Sequence, residues 1–478
     1  MSLRNKAISG FGWTAFEGVF GQGVIFLVGV ILARLLTPED FGIIGIITVF
    51  VAIASSLVEG GFSDALIRKS NVNSKDYNTV FYTNLIVSIG IYIIIYAFSN
   101  KIADFFHEDI LEEILKYSGI IIIINAFTII QNSIIIIQLN FKILSIVKII
   151  SSILSAIVAI YMAYNNFGVW SMVALSILRP LIVCILLWVL NSWRPSFVFS
   201  KSSFKDLFSF GYKILISKLI NTIYKNIYYF LIGKYFSPAD LGYYTRADQF
   251  QRPFSVNITQ AISRISYPIL ATFQKDLLGL KSVFRRFLRY SVLLNFTIIL
   301  MIAAMAKPII LLTVGDKWYP SIYYLQLLCI PGALYPLQIL NINLLTSLGY
   351  SDLMLRLEVI KKIILIPLLL STVFISIEAM LYGLILFSII EYFINSYYAK
   401  KLISYSLLEQ IKDIIPFLIT PVVMFVVMFI ISKFDFSLLL MLVLQIFVGL
   451  VTFLLINERL QLKEYIEIKS KVISIVKK

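Results

Sequence analysis

Histidine, cysteine and charged residues are scarce in this chain of 478 residues, and each scarcity excludes a class of protein. The single histidine, His107, leaves zinc binding and histidine-based catalysis almost without ligands, so we expect no metal site. The two cysteines, Cys184 and Cys329, lie in apolar stretches and indicate buried free thiols instead of a disulfide framework. Charged residues make up only 14% of the chain, a share too small for an ordinary soluble protein.

Apolar residues are correspondingly abundant in the chain. Hydrophobic residues make up 59% of the chain, and its mean hydropathy is +0.91. Apolar runs of about 20 residues, the length a helix needs to cross a bilayer, recur from one end to the other. We count about fourteen such runs, which predict an all-α polytopic membrane protein. The first run, near residues 11–35, is too long for a signal peptide and lacks a suitable cleavage site, so we expect a spanning helix.

Lysine and arginine outnumber the acids and give the chain a formal net charge of +15. Most of these cations fall in alternate connections, beginning with Arg4 and Lys6, which indicates a membrane protein and no nucleic-acid partner. The positive-inside rule predicts cytoplasmic termini and an even number of spans. The basic tail, residues 458–478, is either an amphipathic helix on the cytoplasmic leaflet or a solvated helix, and both alternatives stay open.

Two parts of the sequence resemble each other and predict an internal repeat. Thr37–Gly42 matches Ser237–Gly242, and Phe11-Gly12-Trp13 matches Phe210-Gly211-Tyr212 further upstream. A hydroxyl residue, a proline at the first helical position and an acid at the third predict a capped helix start in Thr37–Gly42, and Ser237–Gly242 repeats the pattern. With an even six spans in each half, the two repeats would be parallel.

The repeat also gives a division of the chain. We predict a first six-helix lobe in residues 1–195, a second in residues 196–405, two additional spans in residues 406–457 and the tail in residues 458–478. The predicted helices lie near residues 11–35, 42–60, 78–99, 113–137, 145–164 and 168–190 in the first lobe, near 207–235, 241–266, 285–306, 319–347, 357–376 and 379–400 in the second, and near 414–431 and 438–456 after it.

Six cations lie in the two helices of the stretch Tyr212–Arg264, and each is expensive in a membrane. They are Lys213, Lys218, Lys225, Arg246, Arg252 and Arg264. A charge facing lipid near mid-membrane costs roughly 3 kcal/mol, so we expect these side chains to face water or a ligand. Those nearest the helix ends, Lys213, Arg246 and Arg264, have the alternative of extending to the interface.

Helical spacing gives each of the two helices a polar stripe. On the first helix the stripe holds Lys218, Asn221, Thr222, Lys225 and Tyr229; on the second it holds Arg246, Gln249, Asn257, Gln260 and Arg264. Arg252 falls off the stripe beside Asp248, so a local ion pair is its alternative interpretation. Arginine offers paired donors to phosphate and lysine a mobile point charge, so a water-filled cavity lined this way suits an anionic, phosphorylated substrate.

The first half carries an acid and a cation within predicted spans. Glu17 lies about a third of the way along the first helix, so it is either part of a salt bridge or linked to a proton or sodium ion. Arg179 precedes Pro180 near the middle of the sixth helix, where proline frees backbone groups and favours a substrate-facing break. Arg179 either assists anion binding or simply pairs with Glu17, and both alternatives stay open.

Several stretches carry a family resemblance. They are Lys6–Trp13, Ala33–Gly42, Gly60–Lys69 and Asp76–Phe81. On these residues the chain resembles the multidrug/oligosaccharidyl-lipid/polysaccharide exporter superfamily, and within it the polysaccharide flippases of the Wzx type. The resemblance implies a V-shaped pair of six-helix lobes around a cavity that opens alternately to either side of a bacterial inner membrane. It also implies an undecaprenyl-pyrophosphate-linked oligosaccharide as substrate, for synthesis of a lipopolysaccharide O-antigen, capsule or exopolysaccharide.

We therefore interpret the chain as a flippase, without enzymatic activity or a cofactor, in contact with the bilayer and with other polysaccharide assembly proteins. The expected substrate-binding cations are Lys218, Lys225, Arg246 and Arg264, with Arg179 and Arg252 also in the cavity; Asn221, Gln249, Asn257 and Gln260 would line it, and Glu17 would couple an ion. An ion-coupled drug or cation antiporter of the same fold is the alternative, although it needs an acidic lumen. A membrane polymerase or ligase is a further alternative that needs a large external loop.

Overall fold

The computed structural model describes residues 3–69 and 71–476, and every regular element within those ranges is helical. The first ten helices are α1 (Leu3–Leu35), α2 (Pro38–Glu59), α3 (Phe62–Arg68), α4 (Ser74–Phe106), α5 (Ile110–Ser118), α6 (Ile120–Ile137), α7 (Phe141–Tyr164), α8 (Trp170–Leu190), α9 (Lys201–Tyr235) and α10 (Pro238–Thr272). Then follow α11 (Leu277–Ser291), a π-helical turn (Val292–Phe296), α12 (Thr297–Ala304), α13 (Ala306–Thr313), a 3₁₀ turn (Asp316–Trp318), α14 (Pro320–Ser347), α15 (Ser351–Val373), α16 (Ile377–Ile403), α17 (Leu407–Ile431), α18 (Leu438–Leu460) and α19 (Lys463–Val476).

The predicted all-α membrane protein is confirmed. In the part of the chain that the structure describes, 11 helices are long and apolar enough to cross a membrane. Three further long helices, α9, α10 and α15, coincide with predicted spans but carry more charge than such a segment ordinarily does. The count of fourteen spans therefore stays a prediction. Both cysteines are free thiols; Cys329 is buried and Cys184 is half-buried.

The chain packs as two compact units, Met1–Gly242 and Tyr243–Lys478. Helix α9, which the repeat assigns to the second lobe, packs against α2, α3 and α4 of the first unit. The predicted lobes, residues 1–195 and 196–405, follow the sequence repeat, whereas these units follow packing. The lobes and the repeat arrangement stay predictions.

Both predicted helix starts are present with the expected hydrogen bonds. The Thr37 amide donates to Asp40 Oδ2 at 2.9 Å, and the Asp40 amide donates to Thr37 Oγ1 at 3.3 Å. At the second site, the Ser237 amide donates to Asp240 Oδ2 at 3.3 Å, and the Asp240 amide donates to Ser237 Oγ at 3.2 Å. These reciprocal bonds are capping boxes, which satisfy amides that a helix cannot pair internally.

The two similar turns also contact each other inside the first unit. A Cβ atom on Gly42 would collide with the carbonyl oxygen of Pro238, and a Cβ atom on Gly242 would collide with that of Pro38. The contact is reciprocal, as in a self-complementary interface. Glycine is required at both positions because any side chain would push the two helix starts apart.

The C-terminal helix α19 packs on α11 of the second unit. Arg286 and Tyr290 of α11 both bond Glu467, and Arg289 lies 3.3 Å from Glu464. The bonds from Tyr290 and Arg286 lower the pKa of Glu467. The apolar side of α19 places Tyr465 in the core at 5% exposure.

One face of α19 thus docks on protein, and the two predicted environments, a leaflet surface or free solvent, stay predictions for its outer face. Acids on α19 alternate with apolar residues and match the basic α11. Lys477 and Lys478, at the end of the predicted tail, lie outside the described residues.

The close contact at Gly242 generates a stability prediction. Gly242→Ala should lower the free energy of unfolding by about 1–3 kcal/mol, because the added methyl group must displace backbone atoms. The matched control is Gly90→Ala in α4, where no atom lies within 4 Å of the added carbon. Thermal unfolding of both variants in detergent measures the difference, and equal midpoints would contradict the contact.

Candidate functional site

A pocket of about 350 Å³ lies among α1, α6, α7 and α8 of the first unit. Its lining consists of Glu17, Asn125, Thr128, Asn132, Lys148, Arg179, Pro180 and Val183. The sequence predicted Glu17 and Arg179 as functional, and the structure brings both to this pocket. Four helices thus contribute polar groups to one recess in an otherwise apolar bundle.

The helices approach closely because small residues line their contacts. Helix α7 buries Ser151, Ser155 and Ala159 on one side, and the hydroxyl of Ser145 donates to the Trp13 carbonyl of α1 at 3.1 Å. In α8, Pro180 has no N–H to donate to the preceding turn, so a backbone carbonyl is left beside the pocket. The local sequence therefore supplies both the tight packing and an irregular, polar wall.

The pocket carries two cations and one acid. Lys148 Nζ lies 3.8 Å from Glu17 Oε2, with the Lys148 side chain 50% exposed and that of Glu17 19% exposed. Among the described residues, Lys148 and not Arg179 is the cation within ion-pair distance of Glu17. The simple pairing of Arg179 with Glu17 is therefore absent, and the three charges leave the pocket with a surplus of one positive charge.

Sequence reasoning missed Lys148 as a pocket residue. The charge pattern counts Lys148 with a cytoplasmic connection and its adjoining helix ends, whereas α7 begins at Phe141 and places Lys148 two turns into the helix. The available signal was a lysine inside an apolar helical pattern, the same signal that singled out Lys218. Asn125, Thr128 and Asn132, at helical spacing on α6, give a polar stripe that was also overlooked.

A second pocket, of about 390 Å³, lies within the second unit between α10 and α14. It is lined by Thr259, Gln260, Ser263, Arg264, Tyr335 and Ile339. Gln260 and Arg264 are thus brought together as the helical spacing predicted. Asn343 of α14 donates to Ser263 at 3.0 Å and fixes the hydroxyl beside them. One cation, one amide and several hydroxyl groups form this recess.

Lys218 lies between two carboxylates. Its ammonium is 2.9 Å from Glu59 Oε1 and 2.7 Å from Asp64 Oδ2, and the side chain is 37% exposed. Two carboxylates around one ammonium leave a net negative charge, which disfavours an anionic ligand at this point. The polar stripe of α9 therefore faces α2 in part, as the bond of 2.9 Å between Thr222 and Ser56 also shows.

Two glycines bring α9 close enough to α2 and α3 for the ion pairs of Lys218 to form. Gly60 and Gly61, with φ of 57° and 70°, turn the chain from α2 into α3, and a Cβ on Gly61 would collide with the carbonyl of Gly211 in α9. Because α9 approaches this glycine turn so closely, Lys218 lies near Glu59, which precedes the turn, and near Asp64, which follows it.

The remaining predicted residues have separate environments. Arg246 is buried at 2% exposure with its guanidinium 5.1 Å from the centre of the Trp318 ring. Arg252 forms the local ion pair with Asp248 at 3.3 Å, which was its alternative interpretation. Lys225, Asn221, Gln249 and Asn257 are exposed side chains on α9 and α10.

A buried ion cluster in the second unit was not anticipated. Lys361, assigned from sequence to the cytoplasmic end of a helix, is 4% exposed and lies 3.0 Å from Glu391 Oε1. It also bonds Glu358 one turn earlier on α15. The cluster joins α15 to α16. Lys361 therefore stabilises the packing of these two helices.

The chain has recognisable relatives. The sequence model of the family described as "Polysaccharide biosynthesis protein" matches residues 31–323, more than half of the chain. The chain is 25% identical over 357 residues to the teichuronic acid biosynthesis protein TuaB of Bacillus subtilis (strain 168), covering 74% of this chain and 73% of the relative. It is 24% identical over 374 residues to the lipopolysaccharide biosynthesis protein WzxC of Escherichia coli (strain K12), covering 77% and 75%.

A solved structure shares the fold. The lipid II flippase MurJ, in an inward closed conformation, superposes with a TM-score of 0.76 at 15% sequence identity. The match covers 94% of this chain and 98% of that chain, so the fold agrees over nearly the whole length.

The Lys218 cluster predicts that Asp64→Asn changes the stability of the protein in opposite directions in the presence and in the absence of Lys218. In the native chain, Asp64→Asn should destabilise by up to about 1 kcal/mol because an ion pair is lost. In a Lys218→Gln chain, the same substitution should stabilise, because it removes one of two adjacent, uncompensated carboxylates. Thermal unfolding of the four proteins in detergent measures both effects. Lys213→Gln on the same helix is the control background, and an equal effect of Asp64→Asn in every background would refute the cluster.

Proposed function

The chain belongs to the family of polysaccharide biosynthesis proteins, and from this premise we propose that it is a flippase for a lipid-linked oligosaccharide. The substrate is an undecaprenyl-pyrophosphate-linked glycan that moves from the inner to the outer leaflet of a bacterial cytoplasmic membrane. The relatives support this proposal, since their names place them in teichuronic acid and lipopolysaccharide biosynthesis. The protein acts as a transporter and not as an enzyme, with both termini cytoplasmic.

The observation that carries the proposal is the surplus positive charge of the first-unit pocket. Arg179 offers paired N–H donors and Lys148 a mobile ammonium, so together they match the oxygens of a pyrophosphate. The neutral amides of Asn125 and Asn132 and the Thr128 hydroxyl match sugar hydroxyls. The pocket thus combines the two kinds of contact that a phosphate-linked sugar requires.

Arg264 and Gln260 provide a second place for the same chemistry within the second unit. Lys225, Arg246 and Arg252, with the polar residues Asn221, Gln249 and Asn257, stay in the proposal as cavity residues. Lys218 acts there as a structural cation because Glu59 and Asp64 already compensate its charge. The membrane potential favours outward movement of the anionic group, by roughly 2.3 kcal/mol per charge per 100 mV.

The rival functions have less support. A drug or cation antiporter needs a surplus of acid to bind its cation, whereas the first-unit pocket has two cations for one acid. A polymerase or ligase needs a large external loop with catalytic groups, whereas the connections on the predicted outer side, such as residues 107–109, are short.

Removing either cation of the pocket should slow transport. Arg179→Ala and Lys148→Ala should each reduce the initial rate of flipping about tenfold or more, because each removes a charge-assisted contact to phosphate. The measurement uses proteoliposomes that contain a fluorescent undecaprenyl-pyrophosphate-linked oligosaccharide. The matched control is Lys142→Ala, an exposed lysine on the same helix outside the pocket lining.

Wild-type rates in both pocket variants would reject the pocket as the substrate site. Failure of the unaltered protein to move this lipid at all would reject the proposed function itself. Cells that lack the protein should accumulate the lipid-linked oligosaccharide on the inner leaflet, whereas drug sensitivity without such accumulation would favour the antiporter.

Glu17 generates a prediction about ion coupling, because it is the sole acid of the pocket lining. We expect Glu17→Gln to abolish the acceleration of flipping by an imposed proton or sodium gradient, and to leave flipping driven by membrane potential intact. Parallel proteoliposome assays with each gradient identify the ion. If the variant keeps the full response to both gradients, Glu17 serves only as the partner of Lys148.

A further inference from the structure

The connection between α8 and α9, residues 191–200, presents an unusually exposed aromatic side chain. Phe197 is 99% exposed, and its neighbours Val198 and Phe199 are 40% and 53% exposed. A large apolar side chain so open to its surroundings is costly in water, whereas a membrane interface accommodates it.

The connection is held firmly in place by α4. Asn78 donates to the Ser196 hydroxyl at 2.6 Å and accepts from the Ser196 amide at 3.0 Å. The Ser200 amide donates to the Thr79 hydroxyl at 3.0 Å. Asn78 and Thr79 are both buried, so these bonds are sheltered from water. Phe197 therefore projects from a fixed backbone.

A ring contact shows where Phe197 lies along α4. The Phe197 ring stacks on that of Tyr82, with centroids 6.0 Å apart and an interplanar angle of 19°. Tyr82 lies eight residues after Ser74, the first residue of α4, so it is about 12 Å along the helix. The predicted span in α4 begins near residue 78, so Phe197 lies beside the first turns of that span.

The surface around Tyr82 faces lipid. Ile86 and Ile93 follow it at helical spacing on the same side of α4, and they are 68% and 58% exposed. Exposed isoleucines on a helix that crosses a membrane contact acyl chains. Phe197 extends this lipid-facing surface toward the headgroups.

Two cations follow the connection at the start of the next helix. Lys201 and Lys205, four residues apart at the start of α9, are both exposed and share one face. The neighbouring Asp206 lies 3.8 Å from Lys69 Nζ, which also pairs with Asp76 at 2.9 Å, so Lys201 and Lys205 together with Asp206 leave one positive charge. The patch is positive and complements anionic lipid.

We propose that the α8–α9 connection is a membrane-interface anchor, in which Phe197 inserts among acyl chains and Lys201 and Lys205 hold anionic lipid headgroups. The anchor is independent of the transported substrate. It fixes the start of α9 to one leaflet, which the positive-inside pattern predicts to be the cytoplasmic one.

The insertion of Phe197 is tested with a fluorescent label on the full chain. In a Cys184→Ser/Cys329→Ala background, Phe197→Cys is labelled with an environment-sensitive nitrobenzoxadiazole dye in nanodiscs of phosphatidylcholine and phosphatidylglycerol. We expect a blue-shifted emission, quenching by acyl-chain nitroxides and protection from aqueous iodide. The control is the label at Asn71→Cys, an exposed position in the α3–α4 connection near the start of α4. Equal iodide quenching at the two positions would overturn the insertion.

The headgroup contact is tested with the same label at position 197. The fraction of brominated phosphatidylglycerol in the nanodisc is increased until quenching of the label is half-maximal. This fraction should rise about fivefold for each lysine removed in Lys201→Gln and Lys205→Gln. The charge-matched control is the pair Lys101→Gln and Lys433→Gln, two exposed lysines in other regions. A half-maximal fraction that stays at the native value in the Lys201→Gln/Lys205→Gln variant would overturn the lipid contact.

Discussion

A charge among membrane helices has to be matched by an opposite charge or by water, and this constraint organises most of the polar structure of the protein. Lys218 is matched by Glu59 and Asp64, Lys361 by Glu358 and Glu391, and Asp413 by Arg285 and Arg289. The clusters at Lys218 and Asp413 join helices that are distant in the sequence, and the cluster at Lys361 joins the consecutive helices α15 and α16. The first-unit pocket differs because its matching is incomplete. The charge left over at Lys148 and Arg179 is the basis on which we propose that this pocket binds an anion.

Close backbone contact is the condition under which these charges can meet. The Gly60–Gly61 turn leaves room for the backbone of α9 at Gly211. In the same way, Gly42 leaves room for the start of α10, and Gly242 leaves room for the start of α2. A side chain at any of these positions would collide with backbone atoms of the neighbouring segment or with the adjacent Phe62 ring. The glycine motifs that carry the family resemblance thus have a mechanical role in the first unit, since they determine how α9 packs.

Local patterns were enough to predict the helices, because apolar periodicity and capping residues act over a few neighbours. They predicted the capping boxes at Thr37 and Ser237 and the shared face of Gln260 and Arg264. The partners of Lys218 could not be predicted, because Glu59 and Asp64 are more than 150 residues away in the sequence. The burial of Arg246 depends likewise on Trp318 from a distant segment. Lys148 lay inside the predicted helix 145–164 but near its start, so it was counted with the cations of the preceding connection.

The contact between Lys148 and Glu17 is long enough to leave Lys148 available to a second partner. At 3.8 Å it is longer than the 2.7–2.9 Å of a good charge-assisted hydrogen bond, so it stabilises the ammonium only weakly. A phosphate group that bonds Arg179 through two N–H donors can therefore compete for Lys148 at little cost. In the proposed transport cycle, Glu17 loses its partner as the anion arrives, and a carboxylate without a partner attracts a proton or a sodium ion. Substrate binding and ion binding would then be linked through one lysine.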